Sequence, residues 1–268
     1  MAKETMAREI EEKLAHSLTA ETTELLPFLP YLLQDLWELG SKPNDIVELI
    51  RTHVPLSEKT KILDLACGKG AVAITLAQCL HVKSLPIKID GFDLLPEFIE
   101  YARDKAKELN VSPLCNFKTG EINNIVKSAK NYDCVILGAA GDILGSPRET
   151  LEKLSQTIKP KGFVVIADGY LSENSATEDL KYIGDCLTQK QWIDLFDELE
   201  LILMEEMPSR DYDYDHDMKM ITARAAELMV QYPDRASMFE GYVKSQQQEV
   251  DDLHHHFVGA TWILQSKK

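Results

Sequence analysis

From Lys61 onward the chain alternates short apolar runs with longer stretches whose apolar residues recur every three or four positions. The runs Lys61–Leu65, Lys88–Phe92, Cys115–Lys118, Tyr132–Leu137 and Gly162–Ala167 have the length of strands. Two of them contain unbroken apolar tetrads, Cys134-Val-Ile-Leu137 and Val164-Val-Ile-Ala167, as expected of strands covered on both faces. Between the runs, Ala71–Cys79, Pro96–Leu109, Ile122–Ser128 and Arg148–Ile158 read as helices. Strands alternating with helices predict a doubly wound α/β fold, a mostly parallel sheet with helices on both sides.

The two ends of the chain follow other patterns. Helices are predicted over Ile10–Leu18, Glu24–Leu39 and Pro43–Arg51. The middle one is apolar nearly all round (Leu25, Leu26, Phe28, Leu29, Leu32, Leu33, Leu36), which marks a buried helix or one that covers a pocket. Pro27 and Pro30 break it into a turn and a helix. We therefore divide the chain into a helical cap or lid, residues 1–55, and an α/β domain, residues 56–268. Past Tyr170 the alternation loosens. Thr188-Gln-Lys-Gln191 has the form of a capping box opening a helix through Glu198. Leu201–Met207 follows as a strand, residues 211–253 as a charged helical insertion, and Phe257–Leu264 as the closing strand.

Chemistry concentrates where the first strand turns into the first helix, Lys61-Ile-Leu-Asp-Leu-Ala-Cys-Gly-Lys-Gly70. Gly68 and Gly70 let the backbone turn tightly and approach a ligand without a Cβ clash. Such turns lie at the carboxyl ends of parallel strands, where open α/β sheets bind their ligands. Asp64, in that position, can hold an ammonium group. At the tip of the second strand, Asp93 can accept hydrogen bonds from both hydroxyls of a ribose; it also precedes Pro96 and can cap the next helix. The same stretch satisfies a dinucleotide pattern, Gly68-x-Gly70-x-x-Ala73 with Asp93 about 20 residues on. A carboxylate at Asp64 would repel a pyrophosphate resting on that turn.

Order and spacing of these stretches over residues 55–170 resemble the class I S-adenosylmethionine-dependent methyltransferases, a Rossmann-like family. The likeness is to the small-molecule type that includes quinone-biosynthesis and glycine/sarcosine methyltransferases. The family's acid followed by three alternating small residues is matched by Asp64, Ala66, Gly68 and Gly70, with alanine in place of the first glycine. The resemblance implies S-adenosylmethionine as cofactor, Asp93 on its ribose and Leu94 beside its adenine. It further implies Glu121 on the adenine amino group, Ile122 against the ring, and Gly138 and Ala139 beside the reactive methyl. The Asn-Pro-Pro-Tyr signature of enzymes that methylate base or amide nitrogen is absent after the fourth strand, as is the Pro-Cys of cytosine C5 chemistry. Lys159-Pro-Lys-Gly162 before the fifth strand resembles the family's punctuation there. Two other readings stay open from the sequence: a nicotinamide-dependent oxidoreductase using the same glycine turn, and a cofactor-binding module without turnover.

A methyl on sulfonium is already activated, so the protein mainly has to position an acceptor and exclude water. Residues Tyr31–Gly40 are the candidate lid, with Trp37 and Tyr31 near cofactor or acceptor. Asp142 and Asp168 follow strand ends and are candidates for a general base; Tyr170 is a candidate for orienting the acceptor. His254-His255-His256 does not predict a metal site, because adjacent side chains diverge on a strand or a helix. The series Asp211, Asp213, Asp215, Asp217 lacks the glycine and terminal glutamate of a calcium loop and reads as a turn or pocket rim.

Composition narrows the partners. A net charge of −15 over 268 residues, with no dense Lys/Arg cluster, argues against nucleic acid and anionic membranes. No stretch reaches the roughly 18 apolar residues of a membrane span. The five cysteines (Cys67, Cys79, Cys115, Cys134, Cys186) are scattered without a C-x-x-C pair, as in a reducing cytoplasm. Cys67 in the glycine turn reads as a small side chain filling a tight bend. The expected partner is a small-molecule methyl acceptor, and a homodimer is left open.

Overall fold

A computed structural model describes residues 2–81, 87–172, 186–209 and 212–268. Its strands are β1 (Lys61–Leu65), β2 (Lys88–Asp93), β3 (Cys115–Thr119), β4 (Tyr132–Gly138), β5 (Ile158–Leu171), β6 (Leu201–Ser209) and β7 (Phe257–Ser266). They form one sheet in the order β3-β2-β1-β4-β5-β7-β6. The first five strands pair in parallel, and β7 inserts antiparallel between β5 and β6. The chain winds outward from β1 in one direction and from β4 in the other, which opens a crevice at the carboxyl ends of these two neighbours.

Alternation along the strands sorts the core into two layers. Ile62, Ile89, Cys134, Ile136 and Val165 face α3 (Pro43–His53), α4 (Ala71–His81) and α5 (Pro96–Glu108). Leu63, Leu65, Val135, Leu137, Val164 and Trp262 face α6 (Ile122–Ser128), α7 (Pro147–Ser155) and α8 (Gln189–Glu198). The apolar tetrads of β4 and β5 thus serve both layers at once. The predicted capping box is formed: Thr188 Oγ1 accepts from the Gln191 amide, and the Gln191 side chain accepts from the Thr188 amide.

A third apolar cluster lies outside this sandwich. It joins Leu14 and Ala15 of α1 (Ala2–Ser17), Leu29 and Leu32 of α2 (Leu29–Leu32), and the following Leu33 and Leu36 to both helices near the carboxyl end. These are α9 (Tyr214–Gln231), through Ile221, Ala225 and Leu228, and α10 (Ala236–His256), through Phe239 and Tyr242. Arg224 on α9 adds a two-pronged ion pair, Nε to Asp35 Oδ2 at 2.6 Å and Nη2 to Asp35 Oδ1 at 3.0 Å. The predicted N-terminal cap and the predicted insertion are therefore one body. The predicted boundary at residue 55 is also corrected, because α3 packs its buried Ile46, Leu49 and Ile50 into the sheet sandwich. The predicted helix Glu24–Leu39 shortens to a 3-10 turn, Thr23–Phe28, and the single turn of α2, with Pro27 and Pro30 setting the break.

Two glycines at the crevice share a left-handed backbone but differ in surroundings. Gly70 has φ +78°, and a Cβ there would stand 2.9 Å from Ala102 Cβ and from the Phe117 ring; Gly141 has φ +56° and nothing within 4 Å. Gly70→Ala is expected to cost about 2–5 kcal/mol, from about 1–2 for the left-handed conformation and about 1–3 for overpacking. Gly141→Ala should cost only about 1–2 kcal/mol. Urea unfolding of the two variants checks the difference, and equal losses would refute the packing role of Gly70.

Candidate functional site

The crevice at the tips of β1 and β4 holds a cavity that reaches under α1 and the segment after α2. Asp64, Ala66, Gly68, Asp93, Leu94, Glu121, Ile122, Gly138 and Trp37 all line it. Gly70 does not; its constraint is the packing of the turn against α5 and β3. The strand tips reach the cavity through backbone that only small residues tolerate. Ala66 (φ +51°) and Ala139 (φ +47°) are left-handed although neither is glycine, at equivalent places after β1 and β4. Such conformations persist only where surrounding structure holds them.

Two buried carboxylates dominate the electrostatics. Asp93 turns one oxygen to the Gly68 amide (2.8 Å) and the other to the Leu95 amide (3.0 Å), so it braces the glycine turn and opens α5 at once. Burial raises its pKa, and the backbone amides that it accepts offset part of that rise. Asp64 is less well provided for. Its Oδ2 is buried without a hydrogen-bond partner. Burial, and then the charge of Asp93, push its carboxyl up to about 7. A carboxylate in that condition favours a cationic or hydrogen-donating neighbour. Glu121 caps α6, its oxygens accepting from the Asn123 (2.7 Å) and Asn124 (2.9 Å) amides, while it also stands on the cavity wall. Burial first, then the charges of Asp64 and Asp93, raise the Cys67 thiol well above its ordinary value, which disfavours the thiolate.

Lys69, between the two glycines, was not singled out from the sequence. Its side chain is buried and its Nζ donates to the carbonyls of Leu33 and, at 2.6 Å, Leu36. The Trp37 indole donates back to the Lys69 carbonyl at 3.3 Å. The glycine turn and the segment after α2 are therefore latched in both directions. Contacts tighten the joint further: a Cβ on Gly68 would meet Leu39 at 3.1 Å, one on Gly40 would meet Ala139 at 3.0 Å, and one on Gly138 would meet Ser41 at 3.1 Å. Burial lowers the Lys69 pKa to about 8, against the partial support of Asp35. A cation between two glycines was the available signal; its target lies over 30 positions upstream and leaves no local pattern.

Beyond Ser41 and Ala139 the cavity adjoins a larger chamber of about 670 Å³ between β5 and the start of β7 on one side and the body formed by α1, α9 and α10 on the other. Asp142 and Asp168 both line it. Asp168 accepts from the Gly169 amide at 2.8 Å, and burial raises its carboxyl to about 6. Tyr170 lines neither space, which corrects its expected role beside an acceptor. It packs against Trp262 and its hydroxyl donates to Glu206 Oε1 at 3.2 Å, because two residues past Asp168 the strand is already covered by α8 and β6. Tyr31 is likewise directed away, donating to Glu227 on α9. Tyr212 ties the rim together, accepting from the Gly40 amide (3.0 Å) and donating to Asp217 (2.8 Å).

The remaining motifs have local roles. His254 packs edge-on against Tyr214, and His255 bonds the Asp251 carbonyl. Asp213 caps α9 through the His216 amide at 2.9 Å, while Asp211 lies outside the described residues. Replacing Lys69 by methionine leaves two buried carbonyls without their charged donor, a loss of about 1.5–3 kcal/mol for a hydrogen bond to a charged group. Amide hydrogen exchange over residues 29–41 should accelerate by about one to two orders of magnitude, while β1 and β4 keep their protection. Unchanged exchange there would show that the cap is held by its apolar contacts alone.

Comparison with known proteins places this geometry. The family model described as "Methyltransferase domain" matches residues 56–201. A malonyl-[acyl-carrier protein] O-methyltransferase from Halalkalibacterium halodurans is 30% identical over 174 residues, 58% of this chain and 61% of that one. A ubiquinone biosynthesis O-methyltransferase from Rickettsia canadensis is 32% identical over 122 residues, 46% of this chain and 48% of that one. The chain thus spans about half to three fifths of the length of these relatives. A SAM-dependent methyltransferase from Thiobacillus denitrificans, solved with S-adenosyl-L-homocysteine, shares the fold at TM-score 0.73 and 18% identity, over 89% of this chain and 98% of that one. Among the described residues no helix is long and apolar enough to cross a membrane. The match to more than half of the chain, over the strands and turns that build the cavity, shows that the chain belongs to the methyltransferase domain family.

Proposed function

We propose that this protein transfers the methyl group of S-adenosylmethionine to a small-molecule acceptor. The observation that carries the reading is the buried, unpartnered Oδ2 of Asp64 on the wall of a cavity that also contains Asp93. The donor set fits that cofactor. Asp64 suits its α-ammonium group, and Asp93 keeps lone pairs for a ribose diol beyond those taken by Gly68 and Leu95. Leu94 and Ile122 offer apolar surface for an adenine, with Glu121 at hand for its amino group. A dinucleotide fits poorly, since its pyrophosphate would meet two buried carboxylates beside the glycine turn rather than a free helix terminus.

When bound, the sulfonium supplies an already activated methyl; what this chain has to supply is a place for the acceptor. The chamber adjoins the cavity where Gly138 and Ala139 bring only small side chains, so an acceptor held there meets little obstruction on its way in. Leu39, Ser41 and Trp37, held by Lys69, close the cavity on the cap side and exclude water.

Asp93→Asn should weaken S-adenosylmethionine binding by about 1–3 kcal/mol through loss of charge-assisted hydrogen bonds. Isothermal calorimetry measures this, and an unaltered affinity would remove Asp93 from the site. A second outcome concerns protons. Because the Asp64 carboxyl stands near 7, it is about half protonated in the free protein at pH 7. An ammonium against it stabilises the ionised form, so binding should release about half a proton at pH 7 and tighten as pH rises from 6 to 7. Calorimetry in buffers of different ionisation enthalpy reports the release directly. Asp64→Asn should abolish it, and a release equal to that of the unaltered protein would separate Asp64 from the ammonium.

A further inference from the structure

The chamber is unevenly charged. Five acids, Asp142, Glu149, Asp168, Asp217 and Glu249, line it against three basic residues, Lys13, His16 and Lys42. Glu249 is engaged by the Thr19 hydroxyl, and Asp217 by the hydroxyl of Tyr212. Asp142 and Asp168, at the ends of β4 and β5 nearest the first cavity, are different. Among the described residues no cation pairs with either side chain, and the carboxyl of Asp168 receives only the amide of its own neighbour, Gly169. The Asp168 side chain opens onto the chamber while protein surrounds it, so its charge is directed at whatever the chamber holds. Farther in, Leu36, Met218, Ile221, Val250 and Leu253 make the wall apolar.

From this arrangement we propose that the acceptor is an apolar amine, its basic nitrogen seated between Asp142 and Asp168 and its hydrocarbon or aromatic remainder against the α9–α10 wall. The inference rests on the methyl-transfer reading and names the substrate class of that site. An anionic acceptor, a carboxylate or a phenolate, would enter a chamber whose lining acids outnumber its basic residues five to three. An ammonium has the opposite balance. It gives one proton to the Asp168 carboxylate; the freed nitrogen lone pair then forms the N–C bond while the electrons of the broken C–S bond stay on sulfur. The carboxylic acid passes its proton to solvent through the open side of the chamber, so that one methylated ammonium ion, one thioether and one proton result. The raised pKa of Asp168 suits it to take a proton in this way. The inference separates this chain from the two matched relatives, whose names record O-methylation.

Three probes of one length and different head groups test it: octylamine, octanoate and octan-1-ol. Each is titrated into the full chain saturated with S-adenosylhomocysteine, and each is then incubated with S-adenosylmethionine carrying a labelled methyl. Octylamine is expected to bind at least about tenfold tighter than the other two and to carry the label on nitrogen. Asp168→Asn should lower octylamine affinity about tenfold, leaving octan-1-ol and S-adenosylhomocysteine affinities unchanged. If that variant fails to fold, Asp142→Asn is measured in its place, with the same expectation. Octanoate binding as tightly as octylamine, label on oxygen, or amine affinity indifferent to the substitution would overturn the proposal. Should S-adenosylhomocysteine itself fail to bind, the methyl-transfer reading falls and the acceptor assignment with it; if it binds and the amine is not preferred, only the acceptor assignment falls.

Discussion

Two carboxylates, Asp64 and Asp93, are carried into the interior at the tips of adjacent strands, and among the described residues neither has a cation beside it. Burying an ionisable group without a partner is costly unless hydrogen bonds or a ligand compensate. Asp93 meets that demand internally, through backbone amides of the glycine turn and of the start of α5. Asp64 has backbone support from Ala73 but leaves its Oδ2 without a hydrogen-bond partner, a group that a cationic or hydrogen-donating ligand would satisfy. Both placements depend on a turn whose residues tolerate left-handed backbone, Ala66, Gly68 and Gly70, because a bulkier turn would neither bring amides to Asp93 nor leave space beside Asp64.

The same turn carries the only buried lysine among the described residues, and that lysine is spent on the cap rather than on the carboxylates. The division is physically sensible. Had Lys69 paired with Asp64, the cavity would be electrically satisfied and a cationic ligand would gain little. Directed instead to the carbonyls of Leu33 and Leu36, it closes the roof while the floor stays negative. The roof is itself composite: α1 and α2 from the start of the chain share a core with α9 and α10 from near its end, and Arg224 on Asp35 fixes their register. Neither half buries an apolar face alone, which explains why an insertion so charged in sequence still forms two helices of 18 and 21 residues.

How much of this was legible follows from the range of each interaction. The parallel strands, their helices and the acids at the strand tips are written locally, in runs such as Cys134–Leu137 and in the spacing Asp64, Ala66, Gly68, Gly70; the residues read there line the cavity with the exception of Gly70, whose glycine is demanded by Ala102 and Phe117. The latch from Lys69 and the union of cap and insertion join residues over 30 to nearly 190 positions apart, and no local pattern encodes them, whereas the rim at Tyr212 and Asp217 falls in the acidic series that reads as a turn or pocket rim. Tyr170 shows the converse hazard. It follows Asp168 at the spacing of one sheet face, yet two residues along β5 the cover changes from open chamber to the aromatic cluster around Trp262.

The joint between cavity and chamber is where these constraints meet. Gly138, Ala139, Gly40 and Ser41 come from opposite sides, strand tip and cap, and a Cβ added to Gly40 or Gly138 would stand 3.0–3.1 Å from Ala139 or Ser41, which leaves little room for a side chain on either glycine. A wider residue at this point would seal the two spaces from each other. Small residues on both surfaces therefore keep the cavity and the chamber in contact. Specificity for an acceptor is then free to reside elsewhere, in the charges of β4 and β5 and the apolar faces of α9 and α10.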